Sequence, residues 1–270
     1  MTTKTRETKK DYYVASFSGG KDSTAMVLRM IELGEHLDEV LLCDTYKEFP
    51  AMYRHIEKVK KVVEDAGIKF TTIRAEKDFD YLMFEVKKTR GKHADQIGRG
   101  WPNPITRWCT GELKRDVVRR YLSKLRKTHN IIQCIGLAAD EGYRLERKNN
   151  QNINHRHPLL EWGWVEADCL KYCYDRGYDW EGLYEIFKRV SCWCCPLRGL
   201  EELRKLWKCF PDLWDQLKNM DSRAWNQFRA DYSVRDLELR FQFEEERLAQ
   251  GQSITNRDFH NQLKMVLKGE

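Results

Sequence analysis

Ser16–Thr24 reads SFSGGKDST and follows directly on the apolar run YYVAS. The run predicts a β-strand. The residues behind it, STAMVLRMIELG, predict a helix that stops at Gly34. A strand, a glycine turn and a helix N-terminus together form a place to hold phosphate. Gly19 and Gly20 let backbone N–H groups approach an anion with no Cβ in the way. A helix starting near Asp22 adds its positive end. Ser18 and Ser23 supply hydroxyls, Lys21 a point charge, and Asp22 a carboxylate for a water or Mg²⁺. The loop is not a Walker A motif, because Asp22 rather than Ser or Thr follows Lys21, nor is it Gly-x-Gly-x-x-Gly. The competing reading is a turn that merely joins two elements. Its position in the first strand–helix unit favours phosphate.

The surrounding chain repeats the same alternation. EVLLCD, ending at Asp44, predicts a second buried strand. In MYRHIEKVKKVVEDAG, Ile56, Val59, Val63 and Ala66 fall at helical spacing before Gly67. IKFTTIR predicts a third strand and IIQCIGL a fourth. Between them, TGELKRDVVRRYLSKLRK sets Leu113, Val117, Tyr121 and Leu125 on one face, with Thr110 as expected N-cap. Strands separated by amphipathic helices predict an α/β fold with a doubly wound, mostly parallel sheet. Ligands bind such sheets at the strand carboxyl ends, where the glycine loop, Asp44, Thr45 and Gly136–Asp140 all fall. From about Trp162 the pattern is helical. The expected division is a tail over 1–11, a nucleotide-binding domain over 12–160 and a C-terminal helical extension over 161–270, with Ser233–Asp236 shaped like a capping box.

Composition narrows the function classes. At 41% hydrophobic and 33% charged residues, the 270-residue chain is a globular protein with a polar surface. No apolar run approaches the roughly 18 residues that span a bilayer, so no membrane partner is expected. The basic start MTTKTRETKK lacks the apolar core of a secretory signal. A cytoplasmic location is therefore expected, with the nine cysteines as thiols or metal ligands rather than disulfides. A net charge of +6 suits an anionic partner without requiring one.

The loop SFSGGKDS resembles the PP-loop of the ATP pyrophosphatase superfamily. DTYKEFPAMYRHIEKV, RWCTGELK (Arg107–Lys114), IGLAADEGYR and GLYEIFKRVSCWCCP resemble the phosphoadenosine phosphosulfate (PAPS) reductase, or CysH-like, branch. The likeness runs over roughly residues 12 to 200, and Ala138 stands where that branch often carries arginine. It implies an adenine nucleotide alpha hydrolase-like fold that binds ATP and Mg²⁺. The chemistry implied is cleavage between the α and β phosphates, which adenylates an acceptor ahead of sulfur transfer to tRNA, DNA or a small molecule. The implied cradle is Ser16, Ser18, Gly19, Gly20, Lys21, Asp22 and Ser23. Asp44 and Thr45 line the adenosine side, Gly136 lies at a neighbouring strand end, and Lys114 and Arg144 are further phosphate contacts. Lys21, Asp22, Lys114 and Arg144 form the expected catalytic set.

Two alternatives stay open. True PAPS reductases usually lack the loop Lys and Asp and depend on a C-terminal cysteine motif, whereas this chain keeps Lys21 and Asp22 and has no cysteine after Cys209. Adenylation is thus favoured over reduction. The third reading is an accessory subunit that binds nucleotide within a protein complex or homo-oligomer.

Cys192 and Cys195 have Cys-x-x-Cys spacing, which suits a [4Fe–4S] cluster or Zn²⁺, with Cys109 or Cys209 completing the set and Cys194 as an alternative ligand. The other reading is a packed hinge of buried thiols. Cys109, near Arg107 and Lys114, suits a thiolate nucleophile as well as a neutral helix start. Cys43, Cys134, Cys169 and Cys173 are expected in the core, as are Trp207 and Trp214. Tyr143–Pro158 reads as a long polar loop whose Arg144, Arg147, Lys148 and Arg156 suit phosphates. His155 and His157 are not spaced to join the cysteines at a metal.

Overall fold

The computed structural model describes residues 9–87, 89, 94, 96–146 and 154–269. They divide into two compact units. One holds the N-terminal residues to Asp78 and Cys109–Val190; the other holds Phe79–Trp108 and the residues from Ser191.

The first unit opens with β1 (Asp11–Phe17), α1 (Lys21–Glu32), β2 (Glu39–Cys43), α2 (Pro50–Asp65) and β3 (Lys69–Ile73). The chain gives α3 (Phe79–Phe84) to the second unit, then returns through the short α4 (Trp108–Thr110), a π-helical turn (Gly111–Arg115) and α5 (Asp116–Leu125). The unit ends with β4 (Asn130–Ile135), β5 (His155–Arg156), α6 (Pro158–Glu161), α7 (Glu166–Tyr174) and α8 (Leu183–Ile186).

The sheet has the order β3-β2-β1-β4-β5, and every neighbouring pair is parallel. The chain steps outward from β1 to β3, then crosses back to β4 on the other side. Right-handed crossovers place helices on opposite faces when the direction of travel reverses, which makes the sheet doubly wound. Val14 and Ala15 point to opposite faces, and both are fully buried. Covering on both faces is why Val40–Cys43 form a continuous apolar run rather than an alternating one. On one face, α5 lays Val118, Tyr121, Leu122 and Leu125 against Val14, Leu41 and Ile131. The strand order reverses beside β1, so the carboxyl ends of β1 and β4 form the switch-point crevice, and Ser18–Gly20 lie in it.

The second unit packs α3 with α9 (Leu200–Cys209), α10 (Pro211–Arg223), α11 (Val234–Ala249) and α12 (Arg257–Lys268). Trp214, Leu217, Phe228, Leu237, Phe241 and Phe259 are buried in its core. Glu244, also buried, is bridged by Arg204 at 2.6 Å and Arg240 at 2.8 Å. The Ser233–Asp236 capping box forms as expected at the start of α11. Among the described residues no helix is long and apolar enough to cross a membrane.

Several expectations are corrected. Asp11, assigned to the tail, already pairs with Asn130 in the sheet; residues 1–8 lie outside the described residues. Thr110 is not an N-cap. It has helical φ/ψ of −70° and −39°, and the π-helical turn carries the helix straight through it. The compact units do not follow the boundary at residue 160, since residues 161–190 remain with the sheet. Tyr143–Pro158 is not loop throughout: Ala139–Glu146 is a 3₁₀ segment, and His155–Arg156 pair with Gln133–Cys134 as β5. Arg147 and Lys148 lie outside the described residues.

Glu39 tests the energetics of the sheet. It has no exposure, yet Thr71, Tyr121 (2.5 Å), Lys69 (3.0 Å) and Tyr12 (3.2 Å) all meet its carboxylate. Burial alone would raise its pKa, but the hydrogen bonds from Thr71, Tyr121 and Lys69 outweigh it and hold the group below its ordinary 4.5. Glu39→Ala should lower the urea-unfolding free energy by about 2 kcal/mol, as expected when hydrogen bonds to a charged acceptor are lost and buried donors are left without it. Because the folded pKa is depressed, the native Glu39 contribution is fully present above pH 4.5 and is lost as pH falls through the folded value. Unfolding curves of the variant should lack that acid loss.

Candidate functional site

The loop between β1 and α1 owes its shape to Gly19, whose φ is +79°, a conformation that costs any residue with a Cβ. Gly20 occupies the N-cap position in an extended conformation and gives α1 no side-chain cap. The first-turn amides therefore have no partners within the helix and carry its positive end. Ser18 and Ser23 shape the loop. Ser23 Oγ donates to the Gly20 carbonyl at 3.0 Å and accepts from the Ser18 N–H at 3.2 Å, while the two hydroxyls lie 3.2 Å apart. Gly136, just after β4, sits against this turn. A Cβ there would come within 3.1 Å of the Ser23 backbone, so glycine allows the strand end and the helix start to touch.

Lys21 is buried, and its ammonium meets Glu166 Oε2 at 2.5 Å and Asp22 Oδ2 at 3.4 Å. Burial opposes its charge, but the Glu166 bond and the Asp22 charge outweigh it and raise its pKa. Burial pushes the Asp22 carboxyl up, with the Lys21 charge offsetting part of the rise. Asp22 Oδ1 is buried with no hydrogen-bond partner. Glu166 is held at the start of α7, where its own N–H donates to Asp140 Oδ1 at 3.2 Å. Cys169 and Cys173 are buried on α7, and the Cys173 thiol donates to the Lys21 carbonyl at 3.7 Å. Burial pushes the Cys173 thiol up to about 12, so the pair packs as neutral core.

An aromatic wall stands behind the loop. The Trp180 indole N–H donates to the Gly19 carbonyl at 2.7 Å. The His55 ring stacks on Trp180 at 4.4 Å, and Nε2 lies 3.0 Å from Thr24 Oγ1. Burial depresses His55 to about 3, so it is neutral. Tyr184 meets Trp180 edge-on at 4.7 Å and accepts the Lys21 N–H at 2.9 Å. The turn that delivers these rings is strained: Trp180, Glu181 and Gly182 all have positive φ. Arg54 fixes it by a two-pronged bond to Glu181 at 2.6 and 2.5 Å.

At the end of β2 the Asp44 carboxylate is fully engaged. It accepts from the Tyr46 N–H (2.8 Å), Tyr53 hydroxyl (2.9 Å) and Arg74 Nε (3.0 Å). Tyr46 is half exposed at φ +60°, and the Arg74 guanidinium lies 4.4 Å from its ring centroid. Thr45 is buried with Oγ1 unpartnered. Asp44 thus braces a flat cationic–aromatic surface.

The other expected residues fall as follows. Ser16 Oγ accepts from Gln133 at 2.7 Å within the sheet. Lys114 reaches Glu48 at 3.4 Å from the π-helical turn, and Arg144 bonds Glu141 at 2.7 Å. Cys134 is buried, and the half-buried Cys43 donates to the Leu113 carbonyl at 3.2 Å. Cys192 and Cys195 are half-buried, Cys194 is buried and Cys209 is exposed. Buried Arg198 braces their turn through the carbonyls of Ser191 and Cys192 at 2.7 and 3.3 Å. Among the described residues no three His, Cys, Asp or Glu side chains converge as a metal site requires. We derive no chemistry through a cluster or zinc.

Glu166, Trp180, Tyr184 and the Tyr46–Arg74 pair escaped the sequence reading. His55 left a signal: it lies among the apolar positions Met52, Ile56, Val59 and Val63 of α2, and a polar residue in such a stripe is buried for a reason. Gly19→Ala should cost about 1–2 kcal/mol from the left-handed backbone alone, and its Cβ would lie 2.6 Å from Met52 Sδ. Urea unfolding should show that loss, together with weaker anion binding at the loop.

Several known proteins are similar to this chain. Two uncharacterized proteins of Methanocaldococcus jannaschii are 25% and 26% identical over 228 and 220 residues. These matches cover 80% and 77% of this chain but 42% and 47% of theirs, so the chain spans less than half the length of the curated relatives it matches. The structure of the U34-tRNA thiolase NcsA from Methanococcus maripaludis with its 4Fe–4S cluster aligns over 87% of this chain and 74% of that one, at 16% identity and a TM-score of 0.41; a likeness that low carries no functional argument. The phosphoadenosine phosphosulfate reductase domain matches residues 12–198, from β1 past the cysteine turn. With its glycine loop at the switch point and that match over most of its length, the chain belongs to the phosphoadenosine phosphosulfate reductase domain family of PP-loop proteins.

Proposed function

We propose that the protein binds ATP with Mg²⁺ at the β1–α1 loop, cleaves it between the α and β phosphates and passes AMP to an acceptor. The observation that carries this reading is a helix start with no side chain at its N-cap, Gly20, whose first residues are a buried lysine and an aspartate with an unpartnered buried oxygen. Asp22 Oδ1 is the hard oxygen donor that Mg²⁺ takes, so the residues present fit that ion. Bound there, Mg²⁺ would neutralise charge on the pyrophosphate side.

The α1 amides and Lys21 would hold the β and γ phosphates. Lys21 would leave Glu166 to do so, exchanging one anionic partner for another. The Tyr46–Arg74 surface offers the base a stacking face, and Asp44 keeps it in place. Catalysis would be positional and electrostatic, with donors aimed where charge accumulates and no side chain covalently modified. The acceptor we favour is a nucleic acid, tRNA or DNA, or a small molecule that then receives sulfur. Family membership and the net charge of +6 support that extension. Reduction of a phosphosulfate nucleotide has support from the family match alone.

Turnover of ATP labelled in the γ-phosphate, with tRNA, DNA and small thiol acceptors, tests the reading. Acceptor-dependent pyrophosphate release is expected. Lys21→Ala should weaken ATP binding about tenfold or more, as for a lost charge-assisted contact. Asp22→Asn should abolish the Mg²⁺ dependence, and in the parent protein Mg²⁺–ATP affinity should rise with pH as the raised Asp22 carboxyl ionises. Unchanged ATP affinity and turnover in Lys21→Ala would overturn the reading. Sulfite from the phosphosulfate nucleotide would favour reduction, and tight binding without turnover an accessory role.

A further inference from the structure

We infer that Tyr184 is a phosphate-binding residue of the cradle, its hydroxyl accepting the Lys21 N–H and donating its own proton to a phosphate oxygen of the bound nucleotide. The inference rests on the reading above and names a ligand contact that lies 163 positions downstream of the loop.

Three observations carry it. First, Tyr184 Oη lies 2.9 Å from the Lys21 nitrogen and would be 3.4 Å from a Cβ on Gly20, so the hydroxyl sits against the end of the loop at the first turn of α1. Second, its bond to Lys21 uses a lone pair and leaves the phenolic proton without an acceptor among the described residues. A hydroxyl that accepts on one side and donates on the other passes the polarity of a backbone amide outward. Burial holds the phenol in its protonated form, which keeps that proton available. Third, the oxygen is placed by construction. The Trp180 ring backs the phenol edge-on, its indole is tied to the Gly19 carbonyl, and the left-handed run Trp180–Gly182 is anchored by Arg54. The same short segment therefore fixes the loop carbonyl inward through Trp180 and presents a donor through Tyr184. The Lys21 ammonium, 5.9 Å from the Tyr184 ring centroid, completes a donor pair of one charged and one neutral group.

Nothing in this arrangement depends on the acceptor or on turnover, so binding alone tests it. Calorimetry on the full chain, with ATP, pyrophosphate and AMP as probes, compares the parent with Tyr184→Phe. The expected result is ATP and pyrophosphate binding about tenfold or more weaker, with AMP affinity unchanged because AMP lacks the β and γ phosphates. Equal affinity for pyrophosphate in the variant, with the parent binding ATP, overturns the Tyr184 assignment and leaves the nucleotide reading standing. Tighter binding in the variant also overturns it, since the hydroxyl would then compete with phosphate for the Lys21 amide. A parent that binds neither ATP nor pyrophosphate brings down both. If the variant melts below the parent, 3-fluorotyrosine placed at position 184 alone supplies the second reading. Its ¹⁹F resonance should shift on adding pyrophosphate and stay fixed with AMP; no shift with pyrophosphate overturns the inference.

Discussion

The bond from the Trp180 indole to the Gly19 carbonyl fixes the geometry on which the site depends. A glycine at positive φ can place its peptide plane several ways, and the loop keeps its shape only while one orientation is held. Trp180 holds it from the inner side, with His55 stacked behind and Thr24 bonded to His55. On the sheet side, Gly136 brings the end of β4 against Ser23. The loop is thus clamped between a strand end and an aromatic wall, and its two serines complete the clamp from within. Rigidity of this kind is what the proposed phosphate binding at the loop requires, since donors held in place need no reorganisation when an anion arrives.

The sheet was legible in the sequence because it is covered on both faces. Largely apolar runs such as Val40–Cys43 and Ile131–Ile135 have no other stable home beside amphipathic helices with clear stop signals. The position of the glycine loop was legible for the same reason, since a strand followed by a helix fixes which end of the sheet it occupies. β5 was not legible. It has two residues, both polar, and borrows its pairing from Gln133 and Cys134. The π-helical turn was equally hidden: Thr110 looks like a cap, and only the backbone reveals that the helix passes through it.

Within the site, residues local to the loop could be named from their types, but their jobs could not. Ser16, Ser18 and Ser23 suggest phosphate ligands by chemistry, whereas Gln133 and the loop itself engage their hydroxyls. Asp44 sits at the expected strand end, with its carboxylate committed to Tyr46, Tyr53 and Arg74. Glu166, Trp180 and Tyr184 arrive from more than a hundred residues downstream. No local spacing marks them, because their partner is a backbone amide, a carbonyl or a lysine selected by tertiary packing.

The second unit is discontinuous in the chain, and that has a practical consequence for dissecting the protein. Residues 79–108 leave the sheet unit and return to it, while their partners lie beyond residue 191. Trp101 is buried edge-on against Phe228 and bonded to Asn226 and Asp221. A fragment cut after residue 190 would retain the whole glycine loop and sheet, yet would also carry that tryptophan stripped of its shelter. Isolating the sheet unit therefore calls for excising residues 79–108 and joining the chain on either side of them, not for shortening the chain from one end.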